Sequence, residues 1–363
     1  MDLKWKQDWA QAKQNLIKWW HGDGLALSFY EAIRSEPIEN IPEPAYPSTL
    51  EARWIDPVYR CDIAEYEMAN RHHPAESIPY FDTQIGPGSL GTFLGVQPGF
   101  AENSVWYTPF MDDPDLCGRI FFNPQDNHWW DIHMALIDEG LKRANSRYLV
   151  GVPDLIENLD TLAALRGETK VLYDLYDRPG WVQARLAEIT ASWMHAFDLI
   201  YEKVRDEAGG NVFSAFRIWG PGKTAKLQCD FSVMISPEMF REFVVPHLET
   251  QCRHLDYTMY HLDGTNALQH LDSLLEIEEL KAIEWTPQAG KPQGGSPEWY
   301  ELYRHIKAAG KAVQAICVEL DEVVPLLDAI GPEGTFILIF DPVNETGLEK
   351  LLKDVEPYYR GDR

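Results

Sequence analysis

The chain has 363 residues, 45% of them hydrophobic and 12% aromatic, which excludes a disordered chain and allows a large core. Lysines and arginines total 32 against 57 acids, a formal charge of −25 that repels phosphate backbones and anionic membranes and argues against nucleic-acid or membrane partners. Cys61, Cys117, Cys229, Cys252 and Cys317 are scattered without a CxxC pair, so no disulfide framework is expected and the chain reads as cytoplasmic.

The N-terminal "MDLKWKQDWAQAKQNLIKWWHGDG" reads as an amphipathic helix with no signal-peptide core, and no apolar run approaches a membrane span. Short apolar strands then alternate with helices. The predicted strands are Leu25–Tyr30, Ile78–Gln84, Arg147–Val152, Val212–Trp219, Tyr257–Asp263, Lys281–Thr286, Ala312–Val318 and Thr335–Asp341. Several are almost continuously apolar, as strands buried on both faces are. A long helix is expected from Pro179 to Gly209, with Pro at its start and Gly at its end. Ser236 and Ser296 each precede a Pro and read as helix N-caps. Eight strands alternating with helices predict an α/β fold, a (β/α)₈ TIM barrel in a single domain over residues 1–363. The Gly-, Pro- and aromatic-rich stretch from about 85 to 130 is too long for an ordinary loop and is expected as an insertion over the barrel mouth. An open, doubly wound sheet is the competing architecture.

In a barrel the C-terminal strand ends face the active site. Those ends carry Asp82 and Gln84; Arg217, Trp219 and, just beyond, Lys223; Tyr260, His261 and Asp263; Glu284 and Trp285; Cys317 and Glu319; and Asp341. His261 and Asp263 are two apart in one strand and point to one face. His261, Asp263, Glu284 and Cys317 offer an imidazole, carboxylates and a thiol, all good zinc ligands at about 2.0–2.3 Å. They are the candidate metal ligands, with Asp341 as the alternative. The plainer readings are a strand-end imidazole bonded to Asp263 and a buried Cys317 acting as a small hydrophobe. Glu284 inside the apolar "KAIEWTP" needs a partner or a shifted pKa. No GxSxG and no GxxxxGK occurs, so neither a nucleophilic serine nor a phosphate loop is expected.

"VMISPEMFREFVVPHL", then a strand ending in "YHLDG", then "LKAIEWTPQAG" resembles the uroporphyrinogen decarboxylase superfamily, as do "VPDLIENLDTLAALRGETKVLYDLYDRP" and "NSVWYTPF". The resemblance implies a (β/α)₈ barrel that is a monomer or a homodimer. The Arg-rich N-terminal segment of true uroporphyrinogen decarboxylases is missing; "SFYEAIRSEP" stands in its place. The other branch holds zinc-dependent methyltransferases that exchange methyl groups with a corrinoid protein. Their His-x-Cys pair matches "HLD" here, so His261 matches a ligand and Asp263 replaces a thiolate, giving a harder site. Glu284 falls where the related methionine synthase has a glutamate. The resemblance therefore implies a metal-assisted methyltransferase acting on an O- or N-methylated substrate, with His261, Asp263 and Glu284 as catalytic residues and zinc and corrinoid as cofactors. Gln84, Trp106, Arg217, Trp219, Lys223, Tyr260 and Trp285 are the candidate substrate contacts, the tryptophans as an aromatic wall. The alternatives are a decarboxylase or other lyase clamping a carboxylate with Arg217 and Lys223, and a non-catalytic binding barrel.

Overall fold

The computed structural model describes residues 2–361. Its strands are β1 (Leu25–Phe29), β2 (Tyr80–Phe81), β3 (Gln97–Phe100), β4 (Val105–Thr108), β5 (Leu149–Val150), β6 (Asn211–Phe213), β7 (Ile218–Gly220), β8 (Thr224–Gln228), β9 (Tyr257–Asp263), β10 (Ala282–Thr286), β11 (Ala312–Val318) and β12 (Thr335–Ile339). Six of them form one parallel sheet in the order β1-β12-β11-β10-β9-β8. The crossovers between them carry helices, which makes this an α/β protein. β2 pairs with β5 in parallel, while β3–β4 and β6–β7 are antiparallel hairpins.

Hydrogen bonds link these sheets. The Glu76 N–H donates to the Leu27 carbonyl at 2.9 Å, tying the approach to β2 onto β1. The Val152 N–H donates to Val212 at 2.8 Å, joining the end of β5 to β6. The Asn211 side chain exchanges two hydrogen bonds with the Thr224 backbone, at 2.9 and 3.0 Å, joining β6 to β8.

The N-terminal helix, Trp9–Trp20, buries Trp9, Leu16, Trp19 and Trp20. Trp20 Nε1 donates to the Trp219 carbonyl at 2.8 Å and Trp19 Nε1 to that of Val313 at 3.1 Å. The long expected helix runs Pro179–Val204, and Trp193, Phe197 and Tyr201 stack along it. Each such fully buried side chain contributes roughly 1.5–3 kcal/mol. Ser236 and Ser296 cap as expected, accepting from the backbone N–H of Met239 and Glu298 at 3.3 Å. No helix among the described residues is long and apolar enough to cross a membrane.

One predicted strand is corrected. Val212–Trp219 is not continuous, because Phe216 and Arg217 take left-handed backbone (φ 59° and 57°) and turn the chain back into the β6–β7 hairpin. The strand beside β9 is instead β8, absent from the sequence reading. The expected insertion holds a short helix, Ser89–Phe93, then the β3–β4 hairpin and an irregular run to Asn127, which caps the helix His128–Ala144.

Candidate functional site

Gln228, His261, Glu284 and Gln314 are register partners across β8, β9, β10 and β11. In-register residues of parallel strands share a face, so four polar side chains form one buried row. The same alternation sends Tyr260 and Trp285 to the opposite face. Trp285 packs edge-on against Trp299 at 5.0 Å, and Tyr260 is buried. Neither lines the two cavities beside the row.

Glu284 is fully buried and in close contact with His261 Nδ1, while its Oε1 accepts from Thr286 Oγ1 at 2.7 Å. Burial works against a charged imidazole, yet the charge of Glu284 and its hydrogen bond outweigh it and raise the His261 pKa, with Asp230 adding to the effect. Burial likewise raises the Glu284 carboxyl, against the pull of His261. The free edge of the ring, Nε2, lies 3.9 Å from Asp230 Oδ1. One ligand atom each from Asp230, His261 and Asp263 can be chosen so that all three lie within 4.8 Å of one another. Asp263 is half-buried and its pKa is raised by burial, against the pull of His261. Glu284 thus stands behind the histidine, where such a carboxylate can orient an imidazole and leave its Nε2 facing Asp230.

The 3₁₀ turn Asp230–Met234, directly after β8, positions Asp230. Asp160 holds that turn by accepting the N–H groups of Asp230 and Phe231 at 2.8 and 2.7 Å, and Gln228 Nε2 donates to both carboxylates at 3.2 and 3.0 Å. Burial, then the neighbouring Asp230 charge, push Asp160 up to about 7. One layer deeper Lys226 is buried against Asp154, Nζ to Oδ1 2.8 Å, and touches Gln228. Glu157 accepts the Gln228 N–H at 2.6 Å, and burial holds its carboxyl well above the ordinary range.

Two cavities flank this centre. One, of about 1000 Å³, is lined by Tyr107 of the β3–β4 hairpin and by Asp160, Gln228, Asp230 and Phe231. The other, of about 590 Å³, is lined by Tyr30, Arg71, Gln84, Phe216, Arg217 and Cys317. The Phe216 ring separates it from the histidine, 4.6 Å from the His261 ring, and Gln314 Nε2 donates to the Phe216 carbonyl at 2.9 Å.

Several sequence candidates stand elsewhere. Cys317 borders the smaller cavity, outside the Asp230–His261–Asp263 group, and burial raises its thiol pKa. Asp341 accepts the Leu320 N–H at 3.1 Å and is also outside the group. Trp219 lies in the core against Trp9, ring centroids 5.4 Å apart. Lys223 precedes β8 at its N-terminal end, away from Asp230, and pairs with Asp198 at 2.7 Å. Trp106 is 54% exposed, its ring over Gly99 rather than toward the larger cavity. Gln84 and Arg217 do border the smaller cavity. Asp154, Glu157, Asp160, Lys226, Gln228 and Asp230 escaped the sequence reading. The three-residue spacing of Asp154, Glu157 and Asp160 in "PDLIENLD" was the available signal.

No protein-family profile matches the sequence, and no curated protein matches it. Among solved structures, a methyltransferase from Methanosarcina mazei is similar with a TM-score of 0.61 at 11% identity, over 94% of this chain and 97% of that one. At that identity the likeness establishes the shared fold.

Proposed function

We propose that the chain is a metal-assisted methyltransferase of the uroporphyrinogen decarboxylase superfamily, moving a methyl group between a small O- or N-methylated substrate and a corrinoid carried by a partner protein. The observation that carries the reading is the Asp230–His261–Asp263 group with Glu284 behind the imidazole. The fold shared with a methyltransferase supports it. The same reading takes the separate sheets as arcs of one ring, β1, β2, β5, β6 and β8 to β12, in which β6 bridges β5 to β8, with the β3–β4 hairpin inserted at its mouth.

One nitrogen and two carboxylate donors suit a hard or borderline divalent cation such as zinc. When bound, that cation supplies Lewis-acid polarisation of the atom bearing the methyl group. Glu284 keeps the proton on Nδ1 and so leaves Nε2 as the donor. Asp160 fixes the turn that aims Asp230, and Phe216 covers one side of His261 against water. The larger cavity, bordered by Asp230, is the assigned substrate space. The test is methyl transfer to cob(I)alamin by metal-loaded protein, with methoxyaromatics and methylamines as donors. Transfer lost in His261→Ala supports the reading, and no transfer from either class of donor contradicts it.

The buried His261–Glu284 contact favours a second reading, a lyase in which that pair moves a proton without metal. Carboxylate loss catalysed equally by chelator-treated protein distinguishes it.

A further inference from the structure

The smaller cavity contains none of the three candidate cation ligands, and its chemistry is opposite in sign. Its walls are mixed, with an apolar part formed by Phe29, Met68, Ile78 and Leu338. Three guanidinium groups border it, and two of them, Arg71 and Arg217, keep donors free. Arg217 is held in place by Nη1 donating to the Phe29 carbonyl at 2.8 Å and by the Tyr30 ring beneath it, 4.3 Å from centroid to Cζ. Among the described residues only its Nη1 is committed to protein acceptors, which leaves Nε and Nη2 as donors. Arg71 has a single loose partner, Glu67 at 3.5 Å. Both arginines act on the same two cavity groups, lowering the pKa of His73 and opposing the rise of Tyr80, so their fields converge inside the cavity.

The competing charges are few. Arg60 also borders the space, but it donates to the carbonyls of Trp54, Asp82 and Gln84. His73 is pushed down to about 3 by burial and is neutral, and burial raises the Asp82 carboxyl. His72 faces Glu345 and Arg34. The backbone adds an independent sign. Phe216, Arg217 and Cys317, all lining the cavity, adopt left-handed conformations at φ 59°, 57° and 52°. Such conformations cost of order 1–3 kcal/mol each in non-glycine residues and cluster where ligands are held.

We propose that this cavity binds a small carboxylate with an apolar body, its anionic end taken by Arg217 and Arg71 and its body lying against Phe29, Met68 and Leu338. Arginine's fork suits a carboxylate, and the apolar residues beside it give the ligand's body a surface to lie on. The inference goes beyond the methyltransferase reading and rests on none of its cation ligands.

The test is calorimetric titration of the full chain at low ionic strength with 4-methoxybenzoate and with the neutral 4-methoxybenzamide. The benzoate is expected to bind at least about tenfold more tightly than the amide. Arg217→Gln and Arg71→Gln should each remove about tenfold of the benzoate affinity and leave the amide unchanged. Glu67→Gln, which deletes the competing carboxylate, should strengthen benzoate binding. His261→Ala should leave it within about twofold, so failure of the cation site and failure of this site are separable. Arg71 anchors no backbone, so its variant remains informative if Arg217→Gln does not fold. Equal binding of the two probes, absence of benzoate binding, or full benzoate affinity in Arg71→Gln overturns the proposal.

Discussion

Replacing Glu284 by glutamine removes a charge from behind His261 while keeping the shape of the side chain. Glu284 is fully buried, with one oxygen on His261 Nδ1 and the other accepting from Thr286 Oγ1. A glutamine there can still accept from Nδ1–H, and the Thr286 hydroxyl can turn to accept one of its amide hydrogens, so no cavity opens. What is lost is the charge that makes the imidazole a better donor. Loss of such a partner costs about 10–100-fold in metal affinity, and the isosteric change belongs near the tenfold end, about 1.4 kcal/mol. Glu284→Ala also frees the ring to turn and belongs near the hundredfold end. The assay is zinc titration of chelator-treated protein against a competing chromophoric chelator. The pH dependence supplies a second readout. The His261 pKa lies above its ordinary 6.5, so the stability it contributes is complete below 6.5 and is lost as pH rises through the folded value. Metal binding needs neutral Nε2 and therefore strengthens over the same rise. Glu284→Gln should lower the His261 pKa and move both transitions to lower pH. Unchanged zinc affinity in Glu284→Gln and Glu284→Ala would refute the assignment of Glu284 as the orienting carboxylate.

Asp160 stands at about 7, raised from 3.8, so the stability it contributes is complete below 3.8 and lost as pH rises through about 7. Asp230→Asn removes a neighbouring negative charge and should lower that pKa, read by carboxyl-carbon NMR titration. Lys226→Met leaves Asp154 buried without its cation and should destabilise the fold by about 3–5 kcal/mol in urea unfolding. Trp219→Ala should cost about 3–5 kcal/mol, while the folded fraction keeps full zinc affinity, because the ring packs on Trp9 and not in the site. Cys317→Ser should retain bound zinc, measured by elemental analysis, since the thiol lies outside the ligand group.

The strands from β9 to β12 were legible because they are apolar runs flanked by turn and helix signals. His261 and Asp263 were legible as a pair because period two puts them on one face. β8 was not, and the reason is physical. Its inward residues are Lys226 and Gln228, on the face shared with His261, and its apolar Ala225 and Leu227 lie on the other face. A strand with a polar interior reads like a surface strand, so "TAKLQ" gave no core signal and Asp230 was lost with it. The Val212–Trp219 reading failed for a different reason. Its composition suits a strand throughout, and left-handed backbone at Phe216 and Arg217, neither a glycine, leaves no mark in the sequence. By residue type Trp219 and Trp285 suit an aromatic wall, but the N-terminal helix and Trp299 claim them. Glu284 was recognised as a charge needing a partner. Its role behind the ring follows only from the register of β9 against β10.

The most direct test of the central claim is the metal content of protein purified without chelator or nickel affinity, beside that of His261→Ala with its fold verified by circular dichroism. About one divalent cation per chain is expected in the natural protein and none in the variant. Metal absent from both, or equally present in both, contradicts it.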